Sequence, residues 1–198
     1  MISQEAGASR TGVFIDYENV KNCNSRTLLP DEVISAIRND LAKFGTPSSV
    51  NVYLAAGLPE SPAPVSNGLM YRVYKAGGSA VLCPSFRNGT DAPKNLADPT
   101  AMTDIMESLF SNPGLGSYAL ATGDKDFIPV VRKLRKYGKD VRLYHGDSLS
   151  AHLRDEVLLG REAESQTEGS RAFLDVVSIA EIVDRKAWPV SLVSREGR

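Results

Sequence analysis

Cysteine and long apolar runs are both scarce in this chain. It has two cysteines, Cys23 and Cys83, and they form no CxxC pair. Two cysteines are too few for a disulfide framework or a cysteine-based zinc site, so we expect buried or half-buried free thiols. No run approaches the roughly 18 apolar residues that a membrane span needs, and residues 1–5 lack the basic and apolar regions of a signal peptide. We therefore expect a cytoplasmic protein with no membrane partner.

An excess of charge of either sign is also absent. The 23 Lys and Arg residues balance 24 Asp and Glu residues, which gives a formal net charge of -1. Any binding of nucleic acid must therefore come from local clustering of basic side chains. One cluster exists, and it comprises Arg132, Lys133, Arg135, Lys136, Lys139 and Arg142. It is either a surface that contacts phosphates or the solvated face of an amphipathic helix with Phe127, Val130, Val131 and Leu134 buried.

Glycine-rich phosphate-binding motifs are missing. No G-x-G-x-x-G follows the first apolar run, and no G-x-x-x-x-G-K-[ST] occurs anywhere in the chain. These absences disfavour a dinucleotide-binding protein and a P-loop protein. An aspartyl phosphatase would carry Asp-x-Asp after its first strand, whereas this chain has Asp16-Tyr17-Glu18. That reaction class is therefore disfavoured as well.

The chain does have a regular alternation of short apolar strands with helical segments. Its 198 residues are 42% hydrophobic and 24% charged, which is ordinary for a globular domain. The patterns predict strands at residues 13–15, 50–55, 80–83, 118–122 and 141–144, and helices at 31–44, 62–75, 98–111 and 126–137. Such alternation requires right-handed crossovers. We therefore predict an α/β fold with a mostly parallel sheet of five or six strands, covered on both faces.

The predicted elements divide the chain into three parts. Residues 1–10 are predicted as a flexible N-terminus, 11–159 as the α/β domain, and 160–198 as a linker with a C-terminal strand and helix. Within the domain, residues 84–97 have turn chemistry and predict a loop. In the extension, residues 173–177 predict a strand, and Ser178-Ile-Ala-Glu181 predicts the start of a helix. This extension is the expected contact surface for a homodimer or a protein partner.

Acidic residues end two of the predicted strands. Asp16 directly follows the first strand, and Asp124 follows the fourth. The carboxyl ends of parallel strands share one edge of a sheet, where a buried carboxylate is costly unless it is paired or binds a cation. Converging hard oxygen ligands suit Mg²⁺ or Mn²⁺, which serve phosphate chemistry. The sequence therefore predicts a divalent-metal site at this edge.

A third acid is expected at the same edge. Asp98 precedes Pro99, a pattern that predicts a helix N-cap followed by proline at the first helical position. This helix leads into the fourth strand, so it begins at the edge where Asp16 and Asp124 lie, and Asp126 follows just beyond. Asp104 points elsewhere on the helix and lies about 9 Å lower, which makes it a lesser candidate and favours a solvated or salt-bridged position. Asp98 and Asp126 retain an alternative role as plain helix caps.

Other side chains near these acids are open to more than one interpretation. Asn19 either holds a ligand carboxylate, binds substrate or closes the turn after the first strand. Thr122 begins a sharp turn that the following glycine permits. The two histidines, His145 and His152, lack the spacing of a ligand pair and favour structural or exposed roles. The aromatic residues that either stack on bases or fill the core are Tyr17, Tyr71, Tyr74 and Phe86.

Three segments carry a family resemblance. They are Gly12-Val-Phe-Ile-Asp16-Tyr-Glu-Asn19, Lys94-Asn-Leu-Ala-Asp98 and Ala121-Thr-Gly-Asp124-Lys-Asp126-Phe-Ile-Pro129. In matching order over about residues 11–145, the chain resembles the NYN domains, a branch of the PIN-like metal-dependent nucleases. The third segment is the most specific of the three.

This resemblance implies a fold, a reaction and a set of site residues. The fold would be a Rossmann-like, PIN-like three-layer sandwich with strand order 3-2-1-4-5, and the reaction would be hydrolysis of RNA by one or two Mg²⁺ or Mn²⁺ ions. By matching position, the principal ligands would be Asp16, Asp98 and Asp124, supported by Asp126 and Asn19, with Asp104 matching an acid of one branch. For the substrate, single-stranded or structured RNA, the expected contacts are Asn19, Thr122 and Lys94 together with Arg132 and Lys133 of the basic cluster.

An alternative function is a catalytically silent NYN-like module that binds RNA or a protein. The intact set of acids weighs against this alternative, because concentrated negative charge repels the phosphates that a binder must approach.

Overall fold

A parallel sheet organises the chain. The computed structural model describes residues 10–57, 67–86, 94–163 and 173–184. Within them the strands are β1 (Arg10–Asp16), β2 (Asn22–Cys23), β3 (Arg26–Thr27), β4 (Ser49–Ala55), β5 (Ser79–Cys83), β6 (Ser85–Phe86), β7 (Lys94–Asn95), β8 (Leu115–Ala121), β9 (Asp140–His145) and β10 (Val176–Ser178). Six of these strands form one sheet in the order β10-β9-β8-β1-β4-β5, and each neighbouring pair is parallel.

This strand order confirms the predicted fold. When only the sheet strands are counted, the order is 3-2-1-4-5, with a sixth strand added beside the fifth. The register sets Asp16 of β1 beside Tyr53 of β4, and Ile15 of β1 beside Ala121 of β8. The carboxyl ends of β1, β4 and β8 therefore lie level with one another at the centre of the sheet.

Helices cover both faces of the sheet. They are α1 (Tyr17–Val20), α2 (Pro30–Leu41), α3 (Asn67–Lys75), α4 (Ala97–Ser111), α5 (Ile128–Lys136), α6 (Ala151–Ala163) and α7 (Ile179–Asp184), with short 3-10 helices at Ala42–Phe44 and Lys125–Phe127. Apolar residues of α2, α3 and α7 build the core on one face, and those of α4, α5 and α6 build the core on the other. The molecule is therefore a three-layer sandwich.

Helix α4 begins two residues before Pro99, its predicted first helical residue. Ala97 is its first residue and Leu96 its N-cap, so Asp98 is the second helical residue and Pro99 the third. The Asn95 side chain accepts a hydrogen bond from the Ala97 backbone N–H at 2.9 Å, which fixes the entry into the helix. Proline is tolerated at the third position because the first four backbone N–H groups of a helix have no partner within it. The predicted N-cap role of Asp98 is therefore wrong.

The predicted loop at residues 84–97 is partly ordered as a hairpin. Strands β6 and β7 pair antiparallel, with Ser85 opposite Asn95 and Phe86 opposite Lys94. The Leu96 backbone N–H donates to the Pro84 carbonyl oxygen at 2.9 Å and continues this ladder. Two residue pairs give too short a pattern to be recognised in a sequence, which is why turn chemistry dominated the prediction.

The C-terminal extension completes the sheet. Strand β10 pairs with β9, and α7 packs on α2. The strand is shorter and later than the predicted 173–177, because the side chains of Phe173 and Leu174 are buried before it begins. Helix α6 runs to Ala163, beyond the residue 160 at which the sequence predicted a linker.

The remaining predicted elements agree closely with the structure. Helix α3 covers the described part of the predicted 62–75 helix, and the predicted 126–137 helix is α5 preceded by its 3-10 turn. Predictions for residues 1–9, 62–66 and 186–198 lie outside the described residues. Across the described ranges, no helix has the length and apolar character that a membrane crossing requires.

Candidate functional site

Hydrogen bonds join three loops at the carboxyl edge of the sheet. After β1, the Asn19 side-chain oxygen accepts a hydrogen bond from the Gly123 backbone N–H at 2.7 Å, which joins the loop after β1 to the loop after β8. The Gly123 carbonyl oxygen accepts from the Ser150 backbone N–H at 2.9 Å, which adds the loop after β9. A Cβ at Gly123 would lie 2.0 Å from the Ser148 carbonyl oxygen. Only glycine fits here, and the close approach fixes the relative positions of the three loops.

The Asp16 carboxyl group is buried where β1 ends. Its residue is only 4% exposed, and its Oδ1 atom has no hydrogen-bond partner among the described residues. Burial first, and then the neighbouring Asp98 through a hydrogen bond and charge repulsion, together raise the pKa of Asp16 to about 8. The backbone N–H of Asn19 opposes this increase by stabilising the ionised form. The site therefore disfavours a bare carboxylate at this position.

Asp16 and Asp98 have the chemistry of a cation site. Two carboxyl groups within hydrogen-bond reach, one of them buried with an unpartnered oxygen, share either a proton or a cation. Hard divalent cations prefer such oxygen ligands. These two residues therefore fit the divalent ion that the sequence predicted.

Asp124 lies at the same edge, and its hydrogen bonds are local. Its Oδ1 atom accepts from the Asp126 backbone N–H at 2.9 Å, so it caps the 3-10 helix that follows. Its own backbone N–H donates to the Thr122 hydroxyl oxygen at 3.2 Å, and Thr122 is buried. Thr122 thus shapes the turn that carries Asp124. Asp126 is exposed.

The structure brings together two of the three predicted principal ligands. Asp16 and Asp98 are direct neighbours, whereas Asp124 makes the capping contact described above. In the described part of the chain, no three or more His, Cys, Asp or Glu side chains are arranged to hold a metal ion. Asp16 and Asp98 thus form an acid pair, and Asp124 lies on the adjacent loop.

Asp104 occupies a different environment from the one predicted. Its Oδ2 atom accepts a hydrogen bond from the Tyr53 hydroxyl at 3.0 Å, and Tyr53 is fully buried. Burial and the Asp104 charge both raise the pKa of Tyr53. The Cys83 thiol is buried nearby, and its pKa is raised first by burial and then by Asp104, Asp16 and Asp98. Asp104 is therefore close to the acid pair and held by a tyrosine rather than by solvent or a salt bridge.

Sequence reasoning missed Tyr53 and Cys83 as neighbours of the acids. Tyr53 is paired with Asp16 across β1 and β4, and Cys83 ends β5. The aromatic character of β4 indicated a buried strand, but nothing local indicated that the Tyr53 hydroxyl reaches helix α4. Cross-strand register was the missing information.

The predicted basic cluster forms a common surface only in part, because Arg132, Arg135 and Lys136 line one pocket with Glu156. Arg132 and Arg135 both pair with Glu156, at 2.9 and 3.1 Å. The Lys133 ammonium lies over the Tyr137 ring, 5.7 Å from its centre, near the end of α5 that is remote from the acids. Arg142 has a side chain only 2% exposed and pairs with Asp40 at 2.7 Å. Alternate residues of a strand face opposite sides, which is why charge counting along the chain overstated this cluster.

A groove between α5 and α6 begins at Asp126. It has a volume of about 610 Å³ and is lined by Lys125, Asp126, Ile128, Pro129, Arg132, His152, Asp155, Glu156 and Leu159. Its charges are mixed rather than basic. His152 is exposed, as predicted, and His145 is half-buried with its Nδ1 atom 2.7 Å from the Gly146 carbonyl oxygen. Lys94 lies on β7 in the short hairpin.

Comparison with known proteins gives both a fold and a family. The chain is similar in structure to a crystal structure of a protein of unknown function from Vibrio parahaemolyticus, with a TM-score of 0.65 and 18% identity over 90% of this chain and 98% of that one. At this identity the likeness concerns the fold alone. No curated protein matches the chain. The model of the NYN domain matches residues 10–158. Because this match spans well over half of its length, the chain belongs to the NYN domain family of the PIN-like nuclease superfamily.

Proposed function

We propose that this protein is a divalent-metal-dependent ribonuclease that hydrolyses RNA phosphodiester bonds. The observation that carries the proposal is the buried, unpartnered Oδ1 atom of Asp16 beside Asp98. A purely structural role would leave this carboxyl group destabilised, because its hydrogen bonds do not offset its burial. Membership of a nuclease-like family supports the same conclusion.

The residues that would hold Mg²⁺ or Mn²⁺ are Asp16 and Asp98, with Asp124 and Asp126 on the adjacent loop. When bound, the ion supplies a Lewis acid for the phosphate and lowers the pKa of water. The carboxylates of Asp16 and Asp98 act as metal ligands rather than as general acid and base. This assignment needs no histidine.

Other residues of the chain position these ligands. Asn19 holds the loop that carries Asp124 through its hydrogen bond to Gly123. Thr122 orients the next turn of that loop through the Asp124 backbone N–H. Asn19 and Thr122 therefore serve as positioning residues, and contact of Asn19 with substrate remains part of the proposal. Fixed ligand geometry matters because a catalytic site that shifts by about 1 Å loses most of its rate.

The test is cleavage of single-stranded and structured RNA by the purified protein with Mn²⁺, Mg²⁺ or EDTA. The variants Asp16→Asn and Asp124→Asn are compared with Asp155→Asn, which changes an exposed acid on α6. We expect cleavage that requires the metal, is lost in the first two variants and is unchanged in the third. Metal-independent cleavage, or equal loss in Asp155→Asn, would contradict the assignment.

A second function, the silent binding module, is favoured by one observation. The Asp124 carboxylate is engaged with the Asp126 backbone N–H, so that among the predicted ligands only Asp16 and Asp98 are direct neighbours. If the folded protein cuts no RNA with either metal but retains RNA or a protein partner, this second function replaces the nuclease.

A further inference from the structure

The described residues include exposed aromatic side chains at both edges of the sheet. Tyr71 and Tyr74 lie on α3, Phe110 near the end of α4, Tyr137 just after α5, and Phe86 on β6. Each helix that follows or precedes a parallel strand runs antiparallel to it. The C-terminal ends of α4 and α5, with Phe110 and Tyr137, therefore lie at the edge remote from the acids. These two rings also contact each other, with centres 5.6 Å apart.

Phe86 differs from the other exposed aromatic residues in its position. It follows Cys83 by three residues, and Cys83 ends β5 at the carboxyl edge, where it pairs with Ala55 of the strand that also pairs with β1 at Asp16. Its side chain is 53% exposed although it belongs to a hydrogen-bonded hairpin. Phe86 is therefore an exposed aromatic residue at the carboxyl edge of the sheet.

The hairpin that carries Phe86 is anchored on the acid side. The Ser85 hydroxyl donates to the Ala56 carbonyl oxygen, just beyond β4, and the Leu96 N–H donates to the Pro84 carbonyl oxygen at 2.9 Å. Two residues after Leu96 comes Asp98. The same short segment therefore fixes the backbone of Phe86 and the start of the helix that carries Asp98.

We propose that Phe86 stacks on an unpaired base of the RNA strand whose phosphate lies at Asp16 and Asp98. The proposal rests on the proposed function and names the form of its substrate: RNA with at least one unstacked base next to the scissile bond. An exposed phenyl ring offers a flat face for any base, so this contact selects single-stranded regions rather than sequence. In a duplex the bases are already stacked and paired, so the ring gains no contact.

The test uses single-stranded oligoribonucleotides that carry the fluorescent base 2-aminopurine at successive positions. All proteins carry Asp124→Asn and are measured with Mg²⁺, so that the strand stays intact. The variants are Phe86→Leu, which keeps apolar bulk without an aromatic face, Phe86→Trp, which keeps the face, and Phe110→Leu as the matched control at the remote edge. Thermal unfolding followed by circular dichroism shows that each variant is folded.

We expect Phe86→Leu to weaken binding of the single strand at least about fivefold, the effect of one lost stacking contact. The same variant should lose the quenching of 2-aminopurine at one position of the strand. Phe86→Trp should retain both properties, Phe110→Leu should match the parent, and binding of duplex RNA should not depend on residue 86.

Equal binding and quenching by the parent and Phe86→Leu would overturn the proposal, as would a parent that binds no single-stranded RNA. The wild-type chain is assayed separately for cleavage, which distinguishes this failure from failure of the nuclease. If Phe86→Leu in the wild-type background still cleaves RNA at an unchanged KM, the stacking proposal is wrong and the nuclease proposal stands. If RNA binding depends on Phe86 but the wild-type chain cleaves no RNA, the nuclease proposal is wrong and the stacking contact stands.

Discussion

At the scale of single residues, the buried carboxyl group of Asp16 makes stability depend on pH. Burial and the neighbouring Asp98 raise its pKa to about 8 in the folded chain, from an ordinary value of 3.8. Between these values the folded state holds a proton that the unfolded state has released, so the unfolding free energy falls as pH rises. The stabilisation is complete below about pH 4 and is lost as pH rises through about 8.

The corresponding variant is Asp16→Asn, which resembles the protonated side chain at every pH. In EDTA we expect it to melt at least about 3 °C above the wild type at pH 8. The difference should disappear near pH 4. Thermal unfolding at both pH values measures it, with Asp155→Asn as the exposed-acid control. A wild type that is as stable as Asp16→Asn at pH 8 would show that the buried carboxyl group is not strained.

A second prediction at this scale concerns Gly123. In Gly123→Ala the new methyl group would overlap the Ser148 carbonyl oxygen, so the loops after β8 and β9 must separate. We expect a loss of about 1–3 kcal/mol in the unfolding free energy and loss of RNA cleavage. Urea denaturation measures the first quantity.

The control for this change is Gly138→Ala. Gly138 has φ +66 and no atom within 4 Å of an added Cβ, so its cost is only the left-handed backbone conformation, about 1 kcal/mol. Cleavage should survive in that variant. Equal effects on cleavage in both variants would mean that the contact of Gly123 with Ser148 does not position the site.

Sequence alone identified the acids better than it identified their partners. Asp16 was predictable because a carboxylate ends a buried apolar strand, and that position dictates its burial. The hydroxyl of Tyr53 on Asp104 was not predictable, because it depends on how a long side chain crosses from β4 to α4. The Asp124 cap also depends on the backbone conformation of a three-residue turn. Tertiary contacts of this kind leave no local pattern.

At the scale of elements, the attachment of the C-terminal strand can be tested through Arg142. This buried guanidinium donates to Asp40 of α2, to the Tyr144 hydroxyl oxygen and to the Phe173 carbonyl oxygen just before β10. It lies 3.7 Å from Asp175, whose side chain is 44% exposed. Burial opposes ionisation of Asp40, but hydrogen bonds from Tyr144 and Arg142 outweigh it and lower its pKa.

We expect Asp40→Ala to cost about 3–5 kcal/mol, because it removes the shortest carboxylate contact of a buried guanidinium. Asp175→Ala should cost about 0–1 kcal/mol, since that pair is long and partly exposed. Urea denaturation of both variants compares the two contributions. Similar losses in the two variants would contradict the assignment of Asp40 as the main partner of Arg142.

The predicted bounds of helices and strands agree with the structure where a single sequence pattern determined them. The glycine, proline and apolar pattern placed α2, β4 and β8 within a few residues. The start of α4 was misplaced because Asp98-Pro99 resembles a cap, whereas the Asn95 side chain supplies the contact that begins the helix. The β6–β7 hairpin was missed because it consists of only two residue pairs.

At the scale of the whole molecule, the alternation of strands and helices predicted the parallel sheet, and the family resemblance supplied its strand order. The strand order of the sheet explains why Asp16, Asp98 and Asp124 lie at one edge. Strands β1 and β8 are adjacent at its centre, and α4 enters at the same edge before crossing back to β8. The sixth strand was harder to place, because β10 has three half-buried residues and follows a polar segment. Its position is decided by pairing with β9 rather than by its own composition.

The central claim is that Asp16 and Asp98 hold a divalent cation, and direct binding of Mn²⁺ tests it without reference to any RNA substrate. Titration followed by electron paramagnetic resonance of free Mn²⁺ compares the wild type with the double variant Asp16→Asn, Asp98→Asn. We predict that the wild type binds at least one Mn²⁺ that Mg²⁺ displaces, and that the double variant loses this ion while remaining folded. If both proteins bind Mn²⁺ equally, or neither binds it, the acid pair is not a metal site and the account is contradicted.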